Sequence, residues 1–310
     1  MGRHHARILR GLPEVELVAV ADVDLDRARA VAADVGAEPF ADAGDLIGRV
    51  DAVTVAVPTA AHQAVSMPFL DAKIPVLVEK PIAATLEQAD LMVAAAEAAD
   101  IPLAVGHSER YNPAITTALA LVTSPRFVEI HRLAAFSARS LDVDVVFDVM
   151  IHDLDVVLAC TNAVPESIEA VGVPVLTDRV DIANARIRFD NGCIANLTAS
   201  RISRERVRKL RFFQQDSYVS IDCALQQVEA WRVQRRPGAE PEIAGGPVAV
   251  PEGEPLEREL ADFVSAIQTG GEPGVTGTAG RRALELADRV ARAIDEGQVD
   301  QRRGTDVDDL

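Results

Sequence analysis

The sequence predicts an α/β part followed by an α+β part. The first is a doubly wound parallel sheet; the second carries a mainly antiparallel open sheet. Three observations predict this. Short, near-continuous apolar runs alternate with helical patterns up to Gly106, as buried parallel strands do between crossover helices. After Gly106 the rhythm changes, and strand-like runs follow one another across short turns. One of those turns, Asp190-Asn191-Gly192, has the residues of a tight hairpin.

The elements follow in order. Met1-Gly2-Arg3-His4-His5-Ala6 opens a helix. Residues 15–21 (VELVAVA) read as a strand, 24–35 as an Arg/Ala-rich helix and 53–57 (VTVAV) as a strand. A helix over 60–72 and a strand over 75–79 come next. Thr85 and Gln88 form a capping box that opens a helix over 86–99, and 102–105 is the following strand. In the second part, 126–132 is a strand and 147–158 a helix. Strands are then expected over 166–176, 181–189, 193–200, 207–213, 218–222 and 226–233. One sheet face is expected to carry helix. The other is left for a homodimer or homotetramer interface. Residues 236–253, rich in Pro and Gly, read as a loop, and helices over 256–268 and 279–296 close the fold. The expected domains are 1–106 and 107–297, with 298–310 a disordered acidic tail.

Composition narrows the function. Net charge is −17, from 31 basic and 48 acidic residues, which opposes non-specific binding to nucleic acid or to anionic membranes. A small anionic ligand needs only a local basic patch and stays open. Cys160, Cys193 and Cys223 lie far apart without metal-ligand spacing, so no metal site and no disulfide framework are expected, and a reducing cytoplasm fits. No apolar run reaches the roughly 18 residues of a membrane span, and no signal peptide is recognised.

Lys80 stands out. The chain has only three lysines (Lys73, Lys80, Lys209) among its 31 basic residues, and one of them ends the apolar run Val76-Leu77-Val78-Glu79. Strand ends are where open α/β sheets place ligands. A compact ammonium there can donate to a reacting oxygen, which a guanidinium does less well. The plainer reading is a surface lysine on the tight turn before Pro81.

Other groups have a chemical and a structural reading alike. Asp22 ends a strand 20 residues after Gly2, the spacing between a dinucleotide fingerprint glycine and the carboxylate that bonds the adenosine ribose. That carboxylate favours NAD over NADP; an ordinary strand-end aspartate is the alternative. Pro58, Thr59 and His62 follow a strand, where backbone N–H groups can meet a cofactor. His62 can equally be a packing histidine. Asp148, His152 and Asp155 have the i, i+4, i+7 spacing of one helix face, with Asp153 off it. A carboxylate beside an imidazole suits a general base; a satisfied histidine or a metal site are the alternatives. Arg201, Arg204, Arg206, Arg208, Lys209 and Arg211 form a basic cluster, read either as a solvated strand face or as a site for a nucleotide diphosphate.

Together these segments resemble the Gfo/Idh/MocA oxidoreductase family. The resemblance is carried by MGRHHA, Ala21-Asp22, Val57-Pro58-Thr59-x-x-His62, Glu79-Lys80-Pro81, Gly106-His107, Arg110-Tyr111-Asn112-Pro113 and Asp148-x-x-x-His152-x-x-Asp155. Val275-x-Gly277-x-x-Gly280 fits as well. It implies a Rossmann domain whose first strand is missing, NAD as cofactor and hydride transfer at a sugar or cyclitol carbon. It further implies Lys80, Asp148 and His152 as the catalytic group. Gly2, Arg3, Asp22, Pro58, Thr59, His62, Glu79, Lys80 and Pro81 would lie at the cofactor, and His107, Arg110, Asn112, Asp155 and Arg201 at the substrate. The segments around Gly106, His152 and 198–201 look most like members that oxidise UDP-N-acetylhexosamines at the 3-hydroxyl. Oxidation of inositol or a free sugar, and NAD-dependent glycoside cleavage, are the alternatives. A short-chain dehydrogenase is excluded, since neither Tyr111 nor Tyr218 has a lysine four residues on. Two departures are noted. The first two fingerprint glycines are absent, so the sequence is expected to be a fragment or a late start that binds NAD poorly. Asp144-Val145-Val146-Phe147 stands where many members carry a glycine pair.

Overall fold

The structure, a computed structural model, describes residues 1–136 and 143–305, with side chains up to residue 297. The chain forms two compact units. One is Met1–Tyr111 with Gly253–Leu284, the other Asn112–Glu252 with Glu285–Leu310. The single boundary expected at 106/107 is therefore replaced by a chain that leaves the first unit and returns to it.

Packing explains the return. In the first unit, α1 (Gly2–Gly11) buries His5, Ala6, Ile8 and Leu9, a stripe at helical spacing. Ile8 and Leu9 share a cluster with Leu77 and Ala104 of the sheet and with Leu256, Leu260 and Phe263 of the returning segment. Without those three residues, Leu77 and Ala104 would lose apolar neighbours, a loss of about 25 cal/mol for each Å² exposed.

The strand β1 is confined to Ala19–Ala21, shorter than the run 15–21. Leu17 instead packs against two apolar clusters. The helix α2 (Leu25–Val35) is capped by Asp24, which accepts the Arg27 N–H. Then β2 (Glu38–Phe40), too short and polar to read from pattern, pairs parallel with β1. After β3 (Val53–Val55), α3 (His62–Asp71), β4 (Val76–Glu79), α4 (Leu86–Ala99) and β5 (Leu103–Gly106) complete the alternation. Thr85 Oγ1 accepts the Gln88 N–H at 3.3 Å, so the N-cap half of the capping box forms, while Gln88 Oε1 accepts the N–H of Ala84, one residue before the cap, at 3.2 Å. Among the described residues the parallel strands make two sheets, β1–β2 and β3–β4–β5, and β1 is not paired with β3.

The second unit begins with α5 (Pro113–Leu119) and β6 (Phe127–Leu133). A π-helical turn, Val146–Met150, runs into α6 (Ile151–Thr161). The strands β7 (Pro165–Val173), β8 (Ile182–Phe189), β9 (Ile194–Ser200), β10 (Val207–Phe213), β11 (Ser217–Asp222), β12 (Gln227–Gln234) and β13 (Glu242–Val248) follow. They join β6 in one eight-stranded sheet ordered β13-β12-β11-β10-β6-β9-β8-β7, in which only β6 and β9 pair in parallel. Alternate residues such as Ile130, Ala185, Leu197 and Phe212 are buried on one face. The opposite face is polar: Asn184 bonds Thr198, Arg186 bonds Asn196 and Arg211 bonds Glu129.

The expected loop 236–253 is corrected by β13. It is an edge strand that pairs with β12 along its whole length. Its composition hid it. A Cβ at Gly245 would sit 2.1 Å from the Ala230 carbonyl oxygen, so the close approach of β13 needs a glycine there. The helices α7 (Pro255–Thr269) and α8 (Gly277–Thr305) end the chain. The helix α8 runs on to Thr305, so most of the expected tail 298–310 is helical backbone; positions 306–310, with Asp306, Asp308 and Asp309, lie outside the described residues. Among the described residues no helix is long and apolar enough to cross a membrane.

Candidate active site

The first unit places Glu79, Lys80 and Pro81 at the C-terminal end of β4, with a cis peptide bond between Lys80 and Pro81. His62 is buried beneath that turn. Its Nδ1 lies 2.9 Å from the Pro81 carbonyl oxygen and its Nε2 3.0 Å from that of Val57. The packing reading of His62 thus has a definite content: the ring ties the end of β3 to the turn after β4. Glu79 is buried as well. Oε1 lies 3.0 Å from His5 Nε2, and Oε2 accepts the Lys80 backbone N–H at 3.2 Å. A Cβ at Gly106 would come within 3.1 Å of Glu79 Cα and 3.2 Å of its carboxyl, so any larger residue there would push Glu79 by a few tenths of an ångström.

Asp22 directly follows β1, half-buried, with Oδ1 accepting the Asp24 N–H at 2.9 Å and Oδ2 3.5 Å from an Arg27 guanidinium nitrogen. One oxygen keeps acceptor capacity toward solvent, which fits a ribose diol. Pro58 precedes a short 3-10 turn, Thr59–Ala61. Gly2 is the first residue of α1, and a Cβ there would meet Ala56 Cβ at an ordinary 3.9 Å. Arg3 is exposed. His107, directly after β5, is fully buried, and Arg110 lies in the turn Ser108–Tyr111. The Tyr111 hydroxyl donates to Asp262 at 2.8 Å; burial, then Asp262 and Glu259, push this phenol above its ordinary range.

The second unit holds the other predicted group. Asp148 lies in the π turn, while His152 and Asp155 lie on α6. The wider π turn alters the angle between Asp148 and His152 from that of a regular α-helix, which spacing alone does not reveal. Asp155 is buried and His152 half-buried. Asp153, off the expected face, points to the sheet. Arg132 Nε lies 3.0 and 2.8 Å from its two oxygens, and Nη2 lies 2.6 Å from Oδ1. Sequence reading missed Arg132; its place on the buried side of an alternating strand was the available signal.

Two residues assigned to substrate are engaged by the fold. Asn112 caps α5 by accepting the Ala114 N–H at 3.0 Å and donates to the Cys223 carbonyl at 3.1 Å. Arg201 is buried against Asp181 at 2.8 Å and donates to Thr177 at 3.1 Å. Asp181 also accepts the N–H groups of Val175, Leu176 and Thr177. Burial pushes the Asp181 carboxyl up, but these donors outweigh it and hold it far below the carboxylate range. The basic cluster does not form one strand face. Arg204 and Arg206 precede β10, while Lys209 and Arg211 face Asp222 and Glu129. Among the described residues no group of His, Cys, Asp and Glu could hold a metal.

Comparison with known proteins places the chain. Residues 1–107 match the family model described as oxidoreductase family, NAD-binding Rossmann fold, and residues 121–217 match the Gfo/Idh/MocA C-terminal domain. A UDP-N-acetylglucosamine 3-dehydrogenase of Acidithiobacillus ferrooxidans is 38% identical over 95% of this chain and 94% of its own length. Its crystal structure superposes with a TM-score of 0.88, covering 95% of this chain and 94% of that one at 37% identity. An inositol 2-dehydrogenase of Rubrobacter xylanophilus is 39% identical over 50% of this chain and 48% of its own. An Agrobacterium radiobacter oxidoreductase in complex with NAD+, L-tartaric acid and magnesium shares the fold, with TM-score 0.81 and 18% identity over 95% of this chain and 93% of that one. From its Rossmann-type parallel strands to its eight-stranded open sheet, this chain belongs to the Gfo/Idh/MocA family of oxidoreductases.

Proposed function

We propose that this protein is an NAD-dependent dehydrogenase of a nucleotide sugar, oxidising the 3-hydroxyl of a UDP-N-acetylhexosamine. The observation that carries the reading is the 38% identity, over 95% of the chain, to a UDP-N-acetylglucosamine 3-dehydrogenase. The nicotinamide, when bound, supplies the hydride acceptor. Asp22 bonds the adenosine ribose and repels a 2′-phosphate; Gly2, Arg3, Pro58 and Thr59 line the cofactor. Lys80 donates to the oxygen that gains negative charge as the carbon is oxidised, a strong effect in a water-poor site. His152 takes the hydroxyl proton, and Asp148 holds the ring or the hydroxyl in place. Arg110 contacts the sugar nucleotide, while the buried His107, Asn112, Asp155 and Arg201 act by shaping the backbone around it. A second copy of the chain covers the polar sheet face that carries Asn184, Arg186 and Glu129, and the enzyme works in the cytoplasm.

The test is NADH absorbance on mixing the protein with NAD and UDP-N-acetylglucosamine. Signal with inositol or a free hexose, and none with any UDP-sugar, sinks the nucleotide-sugar reading. Release of an aglycone without NADH accumulation identifies a glycosidase instead. Lys80→Ala is expected to lower turnover at least ~100-fold with little change in NAD affinity.

A further inference from the structure

His5 lies on the inward side of α1, 1% exposed. Its Nε2 meets Glu79 Oε1 at 3.0 Å, and its Nδ1 has no hydrogen-bond partner among the described residues. An ionised carboxylate only accepts, so the proton is assigned to Nε2 and His5 donates. The other Glu79 oxygen accepts the N–H of Lys80 itself. On the β5 side the carboxyl lies against Gly106, where a Cβ would come within 3.2 Å of it. Burial works against the charge on Glu79. The bond from His5, its charge, the charge of Lys80 and the Lys80 N–H outweigh burial and hold Glu79 below the carboxylate range, as an anion. A fixed anion one residue away favours the ammonium form of a lysine and limits where its backbone can sit.

We propose that His5 is a positioning residue for Lys80: it locks Glu79 in place, and Glu79 fixes both the backbone and the charge of the lysine beside it. The inference rests on the reading of Lys80 as the donor to the substrate oxygen. A purely structural pair would contribute to stability alone.

The chain's three lysines make a direct test possible. With 13Cε-labelled lysine, Lys73, Lys80 and Lys209 give three signals, and Lys80→Arg identifies the one of interest. In His5→Leu the Lys80 signal is expected to titrate at lower pH than in the wild type. Its kcat is expected to fall about tenfold or more while KM for NAD stays within about twofold. His5→Gln, whose amide nitrogen reaches the place of Nε2, is expected to restore both. A folded His5→Leu protein with unchanged Lys80 titration and unchanged kcat overturns the proposal. If His5→Leu does not fold, Glu79→Gln removes the charge at constant size; an unchanged Lys80 titration there overturns it equally. Full turnover in Lys80→Ala would instead refute the role of Lys80, while the titration still judges the link from His5 to Glu79 to Lys80.

Discussion

Arg132 of β6 grips both carboxylate oxygens of Asp153, the residue that follows His152 on α6. Both side chains are buried, so the pair fixes the rotation of α6 and with it the direction of His152. Arg132→Met removes the bidentate guanidinium from a buried carboxylate and is expected to cost about 3–5 kcal/mol. Arg132→Met with Asp153→Leu is expected to regain most of that stability but not turnover. Urea unfolding and kcat, measured on both proteins, separate the two effects.

The π turn Val146–Met150 amounts to one residue more than a regular helix would use. Deleting Val149 is expected to restore α-helical hydrogen bonding and to turn Asp148 relative to His152. Thermal stability is expected to hold within a few degrees, with turnover down roughly 100-fold. A scanning calorimetry trace and an NADH assay check this; full turnover in the deletion would show that the turn has no part in the chemistry.

Asp181 predicts a pH dependence. Its native carboxyl is held below its ordinary 3.8, so it stabilises the fold above that value and loses its contribution as pH falls through the native one. Asp181→Asn is expected to lose about 3–5 kcal/mol at pH 7. The gap from wild type is expected to stay level down to about pH 5 and to close below 3.8. Unfolding curves at several pH values read it directly.

Asp22 and Arg27 predict cofactor choice. Arg27 lies 3.5 Å from the Asp22 carboxylate. Asp22→Ser removes the repulsion of a 2′-phosphate and leaves the Arg27 guanidinium, held by Asp24 at 3.1 Å, without its second carboxylate and able to turn Nη1 toward a phosphate. The ratio of kcat/KM for NADP over NAD is expected to rise at least ~10-fold. Steady-state rates with both cofactors check it.

Much of this was legible in the sequence where one physical signal dominates. The buried strand 76–79 shows as an uninterrupted apolar run, and the helix over 86–99 announces its start with Thr85 and Gln88. The hairpin at Asn191-Gly192 was equally plain, with Gly192 at φ 82°. What escaped depends on partners distant in the chain. Arg132 with Asp153, Arg201 with Asp181 and His5 with Glu79 are all long-range pairs that no local pattern encodes. So the basic cluster stayed open between a ligand site and a solvated strand face, because the acids that meet Arg201, Lys209 and Arg211 lie elsewhere in the chain. The strand β13 escaped because Gly245, Gly246 and Pro247 imitate a loop, and the π turn because it leaves residue spacing untouched.

The returning segment has a consequence for how the protein is made. Leu256, Leu260 and Phe263 complete the core around Ile8 and Leu77, yet they are synthesised well over 150 residues after them. A chain still on the ribosome therefore has to hold Leu77 and Ala104 partly uncovered until α7 emerges, and the core around them closes only after the strands β6 to β13 have been made. A release series of stalled nascent chains, probed by limited proteolysis, is expected to show protection of Met1–Tyr111 only once Leu284 has cleared the exit tunnel.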